Sequence, residues 1–222
     1  MSRLTARTAR EGWLGLLAAI NEYGETYTDQ EGRICREVRN KLLTVREPTD
    51  TLEVVREMQR QNEWVYPSPE ELRSIMLGSR GHGAREYSYA PRLFTNPNQV
   101  DSFIIPLLKA NPLSRRAVAI LYHPERDSKT TSSTIPGLLS VHFRSGDALE
   151  VTCHMRSTDV FIGLPATLYQ IRCLQEYVAE QLGVPCGAIN VFSTSAHFFQ
   201  EYEEAFSHMT KGINKARRFS DV

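Results

Sequence analysis

Between residues 138 and 183 the chain writes two β-rich segments around a tight turn and then one long amphipathic helix, and this succession restricts the fold more than any other stretch. Residues 138–143 and 149–155 flank Ser145, Gly146 and Asp147, a turn signal between arms rich in β-branched and aromatic residues, which predicts a hairpin. Residues 167–182 place Leu168, Ile171, Leu174, Tyr177 and Val178 on one side of a helix, and Gly183 supplies its stop. Further strands are expected at 37–46, 117–122 and 188–195. Helices are expected at 13–20, 52–61, 69–77 and 198–215, and at 100–110, where Pro106 either kinks the helix or marks its start. Residues 79–84 and 124–136 read as polar loops. Strands and helices mix without strict βαβ alternation, so the fold class is α+β. Neither a repeat nor a linker divides residues 1–222, and one domain is expected.

Charge narrows the function. Lys and Arg together number 26, as do Asp and Glu, so no global field draws the chain to nucleic acid or anionic lipid, and any anion site must be local. No apolar run of about 18 residues predicts a membrane span, and the opening lacks a signal-peptide pattern, so a cytoplasmic protein is expected. Cys35, Cys153, Cys173 and Cys186 show no C-x-x-C spacing, which argues against a zinc or thioredoxin-like site and for buried thiols in a reducing compartment.

Two places suit an anion. Arg115 and Arg116 set two guanidinium forks side by side after a turn, and such forks match phosphate oxygens in pairs. Neighbours on a strand point to opposite faces, so the same pair also reads as two solvated arginines. Arg156 and Ser157 end an apolar strand and are followed by Asp159 and a glycine turn into the long helix, which gathers an arginine, a hydroxyl and backbone amides near a helix start. Asp159 equally reads as a capping residue. Glu71 in a helix first turn reads as compensation of the helix dipole, and His197 beside Phe198 and Phe199 reads as structural.

Taken in order over residues 71–202, these segments resemble the thymidylate synthase and deoxycytidylate hydroxymethylase family. Residues 156–165, RSTDVFIGLP, resemble its Arg-Ser-x-Asp…Gly-x-Pro block, and Ser114, Arg115 and Arg116 match its paired arginines. The resemblance implies a mixed twisted β-sheet covered by helices and a homodimer formed through that sheet. Arg156 and Ser157 then take the phosphate of a nucleoside monophosphate, and Arg115 and Arg116 reach the phosphate held by the partner subunit. Asp159 matches the aspartate that meets the pterin of 5,10-methylenetetrahydrofolate, and Gly163 the glycine that lets the backbone approach the base. Glu71, in ELRSIMLG, matches the catalytic glutamate, Tyr87 the active-site tyrosine and His197 the sugar ligand. An amino-terminal phosphate arginine falls on either Arg33 or Arg36.

The departures from the family carry chemistry. Where the family has Pro-Cys-His, this chain has Ile135, Pro136 and Gly137, so the covalent nucleophile is missing. Thr167 stands for the asparagine that reads the pyrimidine edge, and Phe199 for a tyrosine that binds the sugar. A pyrimidine C5 is a poor nucleophile until a thiol adds to C6, so a substrate with a carbon or amine that is already electron-rich is implied. The expected function is folate-dependent one-carbon transfer, methyl or hydroxymethyl, to a nucleotide without a cysteine. The alternatives are a non-catalytic nucleotide-binding homologue, or a nucleotide hydrolase or lyase that uses Glu71 and water.

Overall fold

The structure is a computed structural model that describes residues 2–61, 65–78, 88–95, 97–130 and 135–210. In chain order its elements are β1 (Ser2–Ala6), α1 (Ala9–Tyr23), β2 (Glu25–Thr28), β3 (Ile34–Val45), α2 (Thr51–Gln59), α3 (Pro69–Leu77) and α4 (Ala90–Phe94). A π-helical turn (Val100–Ile104), α5 (Ile105–Ala110), β4 (Val118–Ile120), α6 (Pro124–Asp127), β5 (Leu138–Arg144) and β6 (Leu149–Asp159) follow. The chain continues through α7 (Gly163–Leu182), β7 (Cys186–Phe199), a 3₁₀ turn (Gln200–Tyr202) and α8 (Glu203–Thr210). The seven strands make one sheet in the order β1-β3-β7-β6-β5-β4, with β2 also on β3. β1 runs parallel to β3 and β6 parallel to β7, while the other neighbours are antiparallel, so the sheet is mixed and the fold α+β as expected.

Local chemistry explains the helices. α1 buries Trp13, Leu14, Leu16, Leu17 and Ile20, and its first amides are taken by Thr8 Oγ1 and by the Asp50 carboxylate, at 2.7 Å from Ala9 N. α3 opens with a capping box between Ser68 and Glu71 behind Pro69. α7 begins at Gly163, one turn earlier than expected, because Pro165 is tolerated in a first turn, and it ends where Gly183 adopts a φ of 70°. Pro106 falls in the first turn of α5, directly after the π-helical turn. Among the described residues no helix is long and apolar enough to cross a membrane.

Other expectations are corrected. β1 and β2 were not foreseen: β1 is five residues long, and every residue of β2 is exposed, so neither writes an alternation. Residues 198 and 199 extend β7 instead of opening a helix, because they pair with Arg36 and Cys35 of β3. β6 runs on to Asp159, and β3 starts at Ile34. Residues 124–127 form α6 instead of loop. The loop expected at 79–84 lies outside the described residues.

Helices α1 and α7 pack on one face of the sheet. On β5 and β6 the residues of the other face, including His142, Arg144, Glu150, Thr152 and His154, are exposed. At one end of the sheet the core takes odd-numbered positions, Leu43 and Val45 on β3, Ile189 and Val191 on β7, Val151, Cys153 and Met155 on β6. At the other end it takes even ones, Val38, Ala196 and Phe198, and Thr158 is buried as well. The alternation thus changes phase at one level across three strands, marked on β3 by Asn40 with a left-handed φ of 55°. Beyond that level Glu37, Ser157, Asp159, Ser195 and His197 occupy the face that the main core does not use.

Candidate functional site

Register brings the polar residues of that face together. Glu37 pairs with His197 across β3 and β7, and His197 with Asp159 across β7 and β6, while Ser195 pairs with Ser157 one step along. Directly paired side chains in a sheet stand about 5 Å apart at Cβ. A row of acid, imidazole and acid therefore crosses the three strands.

Asp159 ends β6 and folds back on the turn that follows. Its Oδ1 accepts from Phe161 N at 2.9 Å and Ile162 N at 3.2 Å, which is the capping use of an aspartate. Burial nevertheless pushes its carboxyl up to about 6, against those two bonds and the charge of Arg33. Tyr66 donates to Ile162 O at 2.7 Å and Trp13 Nε1 to Val160 O at 2.8 Å, so the turn is pinned from two sides. A Cβ placed on Gly163 would touch only Asp159 Cβ, at 3.4 Å, which leaves room over the start of α7.

Arg156 projects from β6 toward the segment where the resemblance expected a cysteine. Its Nε donates to Pro136 O at 3.1 Å and its Nη2 to Ile135 O at 2.9 Å, while its backbone N–H meets Gly137 O at 2.9 Å. The two carbonyls occupy one edge of the guanidinium and leave the Nη1 edge, a second fork, to a ligand. Ser157 lies beside it, half-buried. The segment that lacks a thiol thus orients the arginine.

His197 is 9% exposed, and its Nδ1 lies 3.5 Å from Ser195 Oγ. Burial lowers its proton affinity, aided by Arg33 and Arg156, and Glu37 and Asp29 oppose this only in part, so the imidazole is neutral near pH 7. The ring packs edge-on against Phe199 at 5.2 Å, as the structural reading expected, yet it also faces the charged groups.

The two amino-terminal arginines separate cleanly. Arg33 lies 3.9 Å above the Phe199 ring, pairs with Asp29 and Glu31, and its charge reaches Asp159 and His197. Arg36 instead donates to Asn21 on α1, at 2.8 Å to Oδ1. Cys35, beside them, is buried and its thiol is raised by desolvation; burial also raises Cys153, Cys173 and Cys186. Protonated thiols are poor nucleophiles.

The remaining expected residues are scattered. Glu71 accepts from Ser68 N at 2.9 Å within the capping box, as its first-turn position suggested. Arg115 and Arg116 are exposed between α5 and β4, and among the described residues neither side chain makes a hydrogen bond or ion pair. Thr167 is half-buried one turn into α7. Tyr87 lies outside the described residues. Glu37, Ser195 and Tyr66 were missed: Ser195 was visible as the alternate neighbour of His197, whereas Glu37 joins through a pairing 160 positions away that no local pattern shows.

The family model for thymidylate synthase matches residues 21–219. The chain belongs to the thymidylate synthase family. It is 29% identical over 213 residues to a protein of Methanosarcina barkeri named "Putative thymidylate synthase", covering 94% of each chain. Proteins of the same name from Methanococcoides burtonii, 28% identical with 95% of each chain covered, and Methanopyrus kandleri, 29% identical over 88% of this chain and 91% of that one, are similarly related.

Proposed function

We propose that this member of the thymidylate synthase family binds a nucleoside monophosphate and transfers to it a one-carbon unit from 5,10-methylenetetrahydrofolate without a cysteine nucleophile. The observation that carries the reading is Arg156, whose guanidinium is fixed by the carbonyls of Ile135 and Pro136 with one fork left over, in a segment that holds no thiol. In this reading the free fork, Ser157 and Arg33 receive the phosphate. His197 meets the sugar, and Gly163 and Thr167 lie under the base.

Folate, when bound, supplies the one-carbon unit. Asp159 fits its pterin: Oδ1 is held by the turn, Oδ2 remains for ring N–H donors, and a carboxyl that titrates near 6 can give or take a proton near neutral pH. Glu71 and Tyr87 are assigned to proton transfer. The exposed sheet face, where His154 packs on Phe192 at 5.1 Å and Ile120 is 45% exposed, is the surface for a second copy. That arrangement would give Arg115 and Arg116 a phosphate in the partner subunit.

The capping box at Glu71 favours a second reading, binding without turnover, because its carboxylate is engaged in holding a helix start. Calorimetric titration with nucleoside monophosphates tests the binding. Arg156→Ala is expected to weaken it by at least about 30-fold, the loss of a bidentate charged pair; unchanged affinity overturns the phosphate site. Mass spectrometry of the nucleotides, with and without methylenetetrahydrofolate, then separates transfer, base release and unproductive binding.

A further inference from the structure

Arg33, Arg156, Ser157, Asp159 and His197 all have a part in the proposed binding, and Glu37 beside them has none. Glu37 is half-buried on β3, and the nearby cations are engaged elsewhere: Arg39 with Glu25 at 2.9 Å, Arg33 with Asp29 and Glu31, Arg36 with Asn21. Among the described residues its carboxylate makes no hydrogen bond and no ion pair. No buried side-chain oxygen of the described structure lacks a hydrogen bond, so its carboxylate oxygens are open to solvent or to the donors of a ligand.

Its neighbour is open in the same way. His197 is nine-tenths buried, its Nδ1 is turned to Ser195, and its Nε2 has no partner among the described residues. No buried side-chain nitrogen or oxygen of the described structure lacks a hydrogen bond, so Nε2 opens onto accessible space. Phe199, two residues on, offers a ring and no hydroxyl, and the Arg33 guanidinium covers it. Acceptor capacity on Glu37 and a neutral imidazole on His197 thus face the same side of the sheet, and Arg156 is near enough for its charge to act on His197.

Resting on the nucleotide reading, we infer that Glu37 binds the sugar and selects a ribose over a deoxyribose nucleotide. A phosphate would be repelled by this carboxylate, and a base has its place over α7. The sugar hydroxyls are the neutral donors that lie next along the ligand from a phosphate held at Arg156. A vicinal diol gives two O–H donors to one carboxylate, the pairing by which acidic residues hold ribose in dinucleotide sites. Deoxyribose brings only one hydroxyl, which His197 can take, and leaves the Glu37 carboxylate unpaired.

Calorimetric titration of the full chain with cytidine, uridine, adenosine and guanosine 5′-monophosphates and their 2′-deoxy counterparts tests this. The best ribonucleotide is expected to bind roughly 10- to 100-fold tighter than its deoxy form, the range for a hydrogen bond to a charged group. Glu37→Gln and Glu37→Ala should bring that ratio below about threefold while changing deoxynucleotide affinity little, since the lost contact serves only the ribose. A folding defect would weaken both forms alike and leave the ratio intact, which overturns the inference, as does a wild-type protein that binds the deoxy form equally well. Failure of every nucleotide to bind would instead overturn the nucleotide reading beneath it.

Discussion

Burial makes Asp159, despite the two amides bonded to it, hold its proton to higher pH in the folded chain than in the unfolded one, where such groups titrate near about 4. The folded state then binds more protons between about pH 4 and the folded value of about 6, and stability falls as pH rises through that window. The loss is expected to total about 3 kcal/mol and to be complete above it. Asp159→Asn keeps the oxygen that caps Phe161 and Ile162 and removes the charge. It should therefore be more stable than the native chain by about 3 kcal/mol at pH 7.5 and no more stable at pH 4, read by urea denaturation. An equal difference at both pH values would contradict the burial argument. The same variant should lose the proposed transfer activity, because Asn cannot exchange a proton.

At the scale of elements, Asp127 of α6 and Arg92 of α4 form a bidentate pair at 2.6 and 2.8 Å, with side chains 5% and 9% exposed. Arg92 holds the carboxyl down to about 2, so its contribution is full above about pH 4 and is lost as pH falls toward that value. Asp127→Ala strands a buried guanidinium and should cost about 3–5 kcal/mol in thermal unfolding. Gly183 needs its positive φ but no space, since nothing lies within 4 Å of a Cβ built there. Gly183→Ala should therefore cost about 1 kcal/mol, the backbone strain alone.

These elements also show what a sequence reveals. The 138–183 segment was readable because a hairpin signal, a 3.6-residue period and a helix stop agree locally. β2 was not, since its four residues are all exposed and its pairing partner, not its pattern, makes it a strand. For the site, RSTDVFIGLP carried Arg156, Ser157, Asp159 and Gly163 to one place in the fold. The bracket on Arg156 comes from a segment twenty residues away, and the Glu37–His197 row depends on a phase change over three strands, which no single strand's sequence announces.

The proposed homodimer puts a second copy on the exposed sheet face. If a second copy covers it, Phe192→Asp should shift the protein to monomer in sedimentation and abolish turnover, because Arg115 and Arg116 would no longer reach a partner's phosphate. Mixing inactive Arg115→Ala/Arg116→Ala chains with inactive Arg156→Ala chains should restore activity in the hybrid, at about a quarter of the native sites for random assortment. Hybrids with no activity would place the paired arginines outside the site.

The most direct measurement is mass spectrometry of both protein and nucleotide after incubation with methylenetetrahydrofolate. A one-carbon gain on the nucleotide is expected and, after denaturation, a protein of unmodified mass, since in the proposed reaction no thiol attacks the base. A nucleotide covalently attached to the chain, or a nucleotide pool bound but unchanged in mass, would contradict it.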